Sequence, residues 1–119
     1  MRTALALTTL LLLAAPTAAQ SLTGTGVEGN WGCRANIDGT RAGLLTIYAG
    51  SYGYASANYG SAASGSGNAE MASNGVTFLD GNLPTNAGII NGILSFDAEG
   101  KDTLVLNTIE KGVLTCTPR

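Results

Sequence analysis

The sequence has no histidine. That excludes a Ser-His-Asp triad, a Cys-His dyad and an imidazole metal site. Charge is scarce too. Six Lys and Arg against eight Asp and Glu leave a formal net charge of −2, too little positive field to grip phosphates, so no nucleic-acid partner is expected. Past the first nineteen residues, uninterrupted stretches long enough for a helix are scarce. Across residues 20–119 the 17 glycines fall at short intervals, and among the longest runs without Gly or Pro are Asn68–Asn74 in the middle and Lys101–Lys111 near the end. Only the second approaches the ~11–12 residues of an average helix. Its centre, Thr103-Leu104-Val105-Leu106-Asn107-Thr108-Ile109, is rich in β-branched residues and favours a strand. At 119 residues the chain makes one domain at most.

The first nineteen residues read as a secretory signal peptide. Arg2 is followed by an apolar run from Ala4 to Ala15, broken only by Thr8 and Thr9. Pro16-Thr17-Ala18-Ala19 then places small residues at a cleavage site after Ala19. The apolar run is shorter than the ~20 residues of a membrane span, and no cysteine follows the site to carry a lipid. Residues 1–19 are therefore expected to be a leader and residues 20–119 a single β domain, without a membrane span after cleavage. All the glycines lie in that domain, and periplasmic or secreted localisation is expected.

Export puts the two cysteines, Cys33 and Cys116, in an oxidising compartment where such a pair closes a disulfide. In the chain-entropy account, closing so long a loop removes about 4–5 kcal/mol of unfolded-state freedom. Short β-prone runs separated by Asp38-Gly39, Asn74-Gly75, Asp80-Gly81, Asn91-Gly92 and Ala98-Glu99-Gly100-Lys101 read as strands and turns. The expected strands are 29–36, 43–49, 52–58, 66–72, 75–80, 88–96, 102–109 and 112–117, joined as a meander. The stretch from Ile89 to Leu94 reads either as one strand with a glycine bulge or as a hairpin centred on Asn91-Gly92.

Alternation assigns the faces. Trp31, Cys33 and Ala35 share one face; Val76 and Phe78 share another, as do Ile90, Leu94 and Phe96, then Leu104 and Leu106, and finally Leu114 and Cys116. These are the expected interior. A bond from the first strand to the last makes those strands neighbours. That fits a small antiparallel up-and-down barrel, with a β-sandwich as the alternative. The strands are too short, and Thr117-Pro118-Arg119 too polar, for a membrane barrel.

Gly29-Asn30-Trp31 resembles the G-x-W motif of lipocalins and related calycins. The resemblance implies that Trp31 plugs one barrel end and that a basic residue near the last strand, here Arg119, packs over it. Gly29, Trp31 and Cys33 with Leu114 and Cys116 also resemble a group of small exported bacterial proteins that open on G-x-W-x-C and finish on L-x-C. Small-barrel periplasmic protease inhibitors share the general layout, but none of their inhibitory segments transfers residue by residue.

Four candidate features remain. Tyr48, Tyr52, Tyr54 and Tyr59 crowd one short segment, and as an exposed patch they would grip a protein or a small ligand. The preferred reading is that they pack over small Gly and Ala residues of neighbouring strands. Asn58–Asn68, rich in Gly, Ser and Ala, reads as a mobile connection or a loop that orders around a partner. Asp97, Glu99 and Asp102 cluster on one turn, but their spacing matches no EF-hand, and a solvated turn is expected. Carboxylates are the remaining acid-base groups, with Asp80 and Asp97 the residues to test in a small hydrolase. No catalytic residue, cofactor or metal is assigned. The expectation is a monomeric, exported, non-catalytic binding module for a protein or a small envelope ligand, inhibitor-like in layout. The alternatives are a carboxylate-dependent hydrolase and a structural envelope component.

Overall fold

The structure is a computed structural model, and it describes residues 26–58 and 60–119. The expected leader lies outside the described residues.

Eight strands follow one another. They are β1 (Gly29–Ala35), β2 (Arg41–Tyr48), β3 (Ser51–Ser56), β4 (Gly65–Ala72), β5 (Gly75–Phe78), β6 (Asn91–Phe96), β7 (Asp102–Asn107) and β8 (Gly112–Pro118). Each pairs antiparallel with the next, and β1 pairs with β8, so the sheet closes as an up-and-down barrel. The sandwich alternative is excluded. Closure leaves no free edge to recruit another chain.

The disulfide forms where closure occurs. Cys33 stands directly opposite Cys116 in the β1–β8 register, and the bond links residues 83 apart in sequence. Asn36 N–H donates to Val113 O and Arg119 N–H to Asn30 O, which makes Cys33 and Cys116 one of the closer, non-hydrogen-bonded pairs of this ladder. Both cysteines face inward and are buried. Such a bond is consistent with an oxidising, exported environment.

The interior is filled by Trp31, Leu45, Ile47, Tyr52, Val76, Phe78, Leu83, Ile89, Leu104 and Leu106 with the disulfide. Burial of each large aliphatic side chain contributes roughly 1.5–3 kcal/mol. Gly92 is an inward position without a side chain: a Cβ there would come within 2.9 Å of Leu106 and 3.2 Å of Leu104, which fill its space.

Three local expectations need correction. The stretch between β5 and β6 is not extended throughout. It holds one turn of π-helix, Leu83–Ala87, with Pro84 in its first turn and a left-handed Gly88 (φ 71°) at its end. Because β6 starts only at Asn91, neither a hairpin at Asn91-Gly92 nor one long strand forms. Alternation therefore does not run back to Ile90, which is exposed, while Ile89 is buried beneath the π turn. Phe96 sits at the strand end and is 67% exposed, so of the expected trio only Leu94 packs against the core.

We call the end carrying the β1–β2, β3–β4, β5–β6 and β7–β8 connections the top. At the bottom, Trp31 is buried beside Val27, and its indole Nε1–H donates to Val27 O at 2.9 Å. Arg119 does not cover Trp31. Its stem runs beside Gly32, an outward position, where a Cβ would meet the Arg119 Cδ at 2.7 Å.

Candidate functional site

The four tyrosines do not form one patch. Tyr48 is 70% exposed, whereas Tyr52 and Tyr54 are only 3% and 7% exposed. Tyr59 lies outside the described residues. A gripping surface built on Tyr52 and Tyr54 is therefore corrected, and the preferred reading, packing over small neighbours, holds for both: Tyr52 lies against Gly67 and Gly81, Tyr54 against Gly43. The turn between β2 and β3 resets the alternation: Tyr48 ends β2 facing outward, and β3 turns Tyr52 and Tyr54 into the barrel.

The two inward tyrosines differ. Tyr52 is a strut. Its hydroxyl donates to Asp80 O at 2.8 Å and accepts from Leu83 N–H at 3.0 Å, and its ring packs edge-on against Phe78 at 4.9 Å. Tyr54, one inward step nearer the top, leans over Gly43. A Cβ on that glycine would stand 2.6 Å from the Tyr54 hydroxyl oxygen. The Tyr54 hydroxyl has no hydrogen-bond partner among the described residues. Burial pushes both phenols above their ordinary pKa, so each stays protonated and able to donate at neutral pH.

The Tyr54 side chain lines an open cavity of about 270 Å³ at the top of the barrel. Arg41, Ala42, Tyr54 and Ser56 form the β2–β3 wall, Ala63, Ala87, Ile89, Val113 and Leu114 line it with Ala35, and Thr40 and Asn58 add polar groups. The space exists because four positions around the mouth carry only alanine. Ile89 and Leu114 supply apolar surface, and Arg41 stands exposed at the rim. The Arg41 side chain makes no hydrogen bond or ion pair among the described residues.

The segment expected to be mobile is part of this wall. Asn82 Nδ2–H donates to Ala62 O and Ser64 O at 2.9 and 2.6 Å, and Asn86 Nδ2–H donates to Ala62 O at 2.9 Å. Ser56 N–H donates to Ser64 Oγ at 2.9 Å. Two asparagines, Asn82 just before the π turn and Asn86 within it, thus tie down the β3–β4 loop and hold Ala63 at the mouth. Sequence reasoning missed Asn82 and Asn86; one i, i+4 pair after Asp80-Gly81 is too short a pattern to mark a helical turn.

The carboxylates singled out for chemistry are engaged in turns. Asp80 Oδ1 accepts from Asn68 N–H at 2.7 Å and Oδ2 from Asn68 Nδ2–H at 2.9 Å, which holds its pKa below the usual value. Asp97 Oδ1 accepts from Glu99 N–H and Lys101 N–H, both at 2.9 Å. Asp80 lies at the top and Asp97 at the bottom, so they do not face each other. Among the described residues no three acidic or cysteine side chains gather as a metal site, including Asp97, Glu99 and Asp102. No helix of the described residues is long and apolar enough to cross a membrane.

Comparison with family models, curated proteins and solved structures found no match. The barrel is compatible with the fold that the G-x-W resemblance implies, and no relative ties the chain to lipocalins.

Proposed function

We propose that the protein is an exported, periplasmic or secreted, non-catalytic binding module whose binding end is the top mouth of the barrel. One observation carries this reading. Tyr54, a residue only 7% exposed whose hydroxyl has no hydrogen-bond partner among the described residues, lines a cavity open to solvent with mixed apolar and polar walls. Leaving a buried hydroxyl unpaired costs about 1–3 kcal/mol, a cost that a bound acceptor would offset. Ligand sites favour such settings: barrel mouths, apolar walls and a few polar groups. The hydrolase alternative has less support, because Asp80 and Asp97 serve turns at opposite ends.

A protein partner is the second reading. Ile37 and Ile109, on the β1–β2 and β7–β8 turns of the same end, are 90% and 87% exposed. Native mass spectrometry of the protein isolated from its own host separates the two. The mouth reading expects a small non-covalent adduct on the wild type and none on Ala87→Leu, which fills the cavity. A second polypeptide that survives Ala87→Leu and is lost in Ile37→Asp would replace it with the protein reading. A small adduct indifferent to Ala87→Leu would refute the mouth as the site.

A further inference from the structure

We propose that the mouth takes a small carboxylic acid with an apolar body, its head group between Tyr54 and Arg41. The proposal rests on the mouth being the binding end and adds the chemistry of what it binds. Tyr54 is 7% exposed, and its O–H is a donor with no acceptor among the described residues, so a ligand that pairs with it must bring an acceptor. Arg41 lines the same cavity, and its guanidinium has no partner there either. A neutral acceptor satisfies the tyrosine alone. A carboxylate accepts from the phenol and neutralises the cation together.

Competing charges are placed elsewhere. The Asp38 carboxylate accepts from Thr40 N–H and Oγ1–H at 3.0 and 2.8 Å. Glu110 does not line the cavity. The Asp97, Glu99 and Asp102 turn stands at the other end of the barrel. Arg34 is committed to Gly39 O at 3.0 Å, which leaves Arg41 as the cation lining this cavity. The walls away from Arg41, with Ile89, Val113 and Leu114, offer apolar surface for the body of the ligand.

Size restricts the class. An apolar cavity of about 150 Å³ holds benzene. At about 270 Å³ this mouth suits roughly ten to twelve non-hydrogen atoms, a phenylalkanoic or short branched acid rather than a long acyl chain.

Calorimetric titration of the disulfide-intact protein at pH 7 with 4-phenylbutyrate and with 4-phenylbutanol tests this. The acid is expected to bind at least tenfold more tightly. Arg41→Gln should abolish that advantage, and Tyr54→Phe should cut it severalfold, with both variants melting cooperatively as the wild type does. Equal affinities for acid and alcohol, both lost in Ala87→Leu, would overturn the carboxylate proposal and leave the mouth as the site. An acid advantage that survives both Arg41→Gln and Tyr54→Phe would overturn it as well. If neither compound binds, the carboxylate proposal falls, and the mouth reading stands or falls on the native-mass-spectrometry comparison with Ala87→Leu.

Discussion

Tyr52 and Tyr54 stand two residues apart on one inward face, yet removing their hydroxyls should have opposite effects. Tyr52→Phe strands the Leu83 N–H and the Asp80 carbonyl that its hydroxyl now satisfies. A loss of about 1–3 kcal/mol is expected, since a buried group left without its partner bears the desolvation cost. Tyr54→Phe removes a buried hydroxyl with no partner among the described residues and should stabilise the ligand-free protein by about 1 kcal/mol. Urea unfolding of the two variants beside the wild type reads both signs. If Tyr54→Phe proves as damaging as Tyr52→Phe, the Tyr54 hydroxyl has a structural partner. In the sequence the two tyrosines are indistinguishable: same type, same parity, same strand. What separates them is whether another segment reaches the hydroxyl, and that segment, Asp80–Leu83, lies 28 to 31 positions away.

Among elements, the connections at the top are held by side chains rather than by ladders. Asp80 clamps Asn68, linking the end of β5 to β4, and Asp38 closes the β1–β2 turn on Thr40. Both carboxyls are held below their ordinary pKa, first by the backbone N–H each accepts and then by the partner's side chain. A carboxyl lowered in the folded state adds stability that is present above its unfolded value, about 3.9, and is lost as pH falls through the folded value. The melting temperature should therefore drop on acidification below about pH 4, and less steeply for the Asp38→Asn, Asp80→Asn double variant. Parallel slopes for the two proteins would show that other groups govern acid stability. Of these elements, the strands were legible from turn residues and β-branched runs. The π turn was not, because Leu83–Ala87 is too short to show a helical period and its Pro84 reads equally as a loop residue.

The whole molecule depends on the contact between its first and last strands. Cys33 and Cys116 close a loop spanning 83 positions around the entire meander. In the chain-entropy account that cross-link is worth about 4–5 kcal/mol, a large share of the stability of a domain of this size. Cys33→Ala with Cys116→Ala, or reduction by dithiothreitol, should lower the urea midpoint accordingly or leave the chain unfolded. An unchanged midpoint would mean that the β1–β8 ladder closes the barrel unaided.

The all-β class and the eight strands in order followed from local patterns, and the cysteine pairing from there being two cysteines in a chain read as exported. Turn residues need particular backbone angles, alternation sets faces within a strand, and two cysteines in an oxidising compartment pair. The tertiary structure alone decided the barrel over the sandwich, the inward turn of Tyr52 and Tyr54, the outward turn of Ile90 and Phe96, and the cavity at the top. A cavity is space that no side chain fills. It emerges only when Ala35, Ala42, Ala63 and Ala87, far apart in sequence, come around one barrel end with Tyr54 and Arg41.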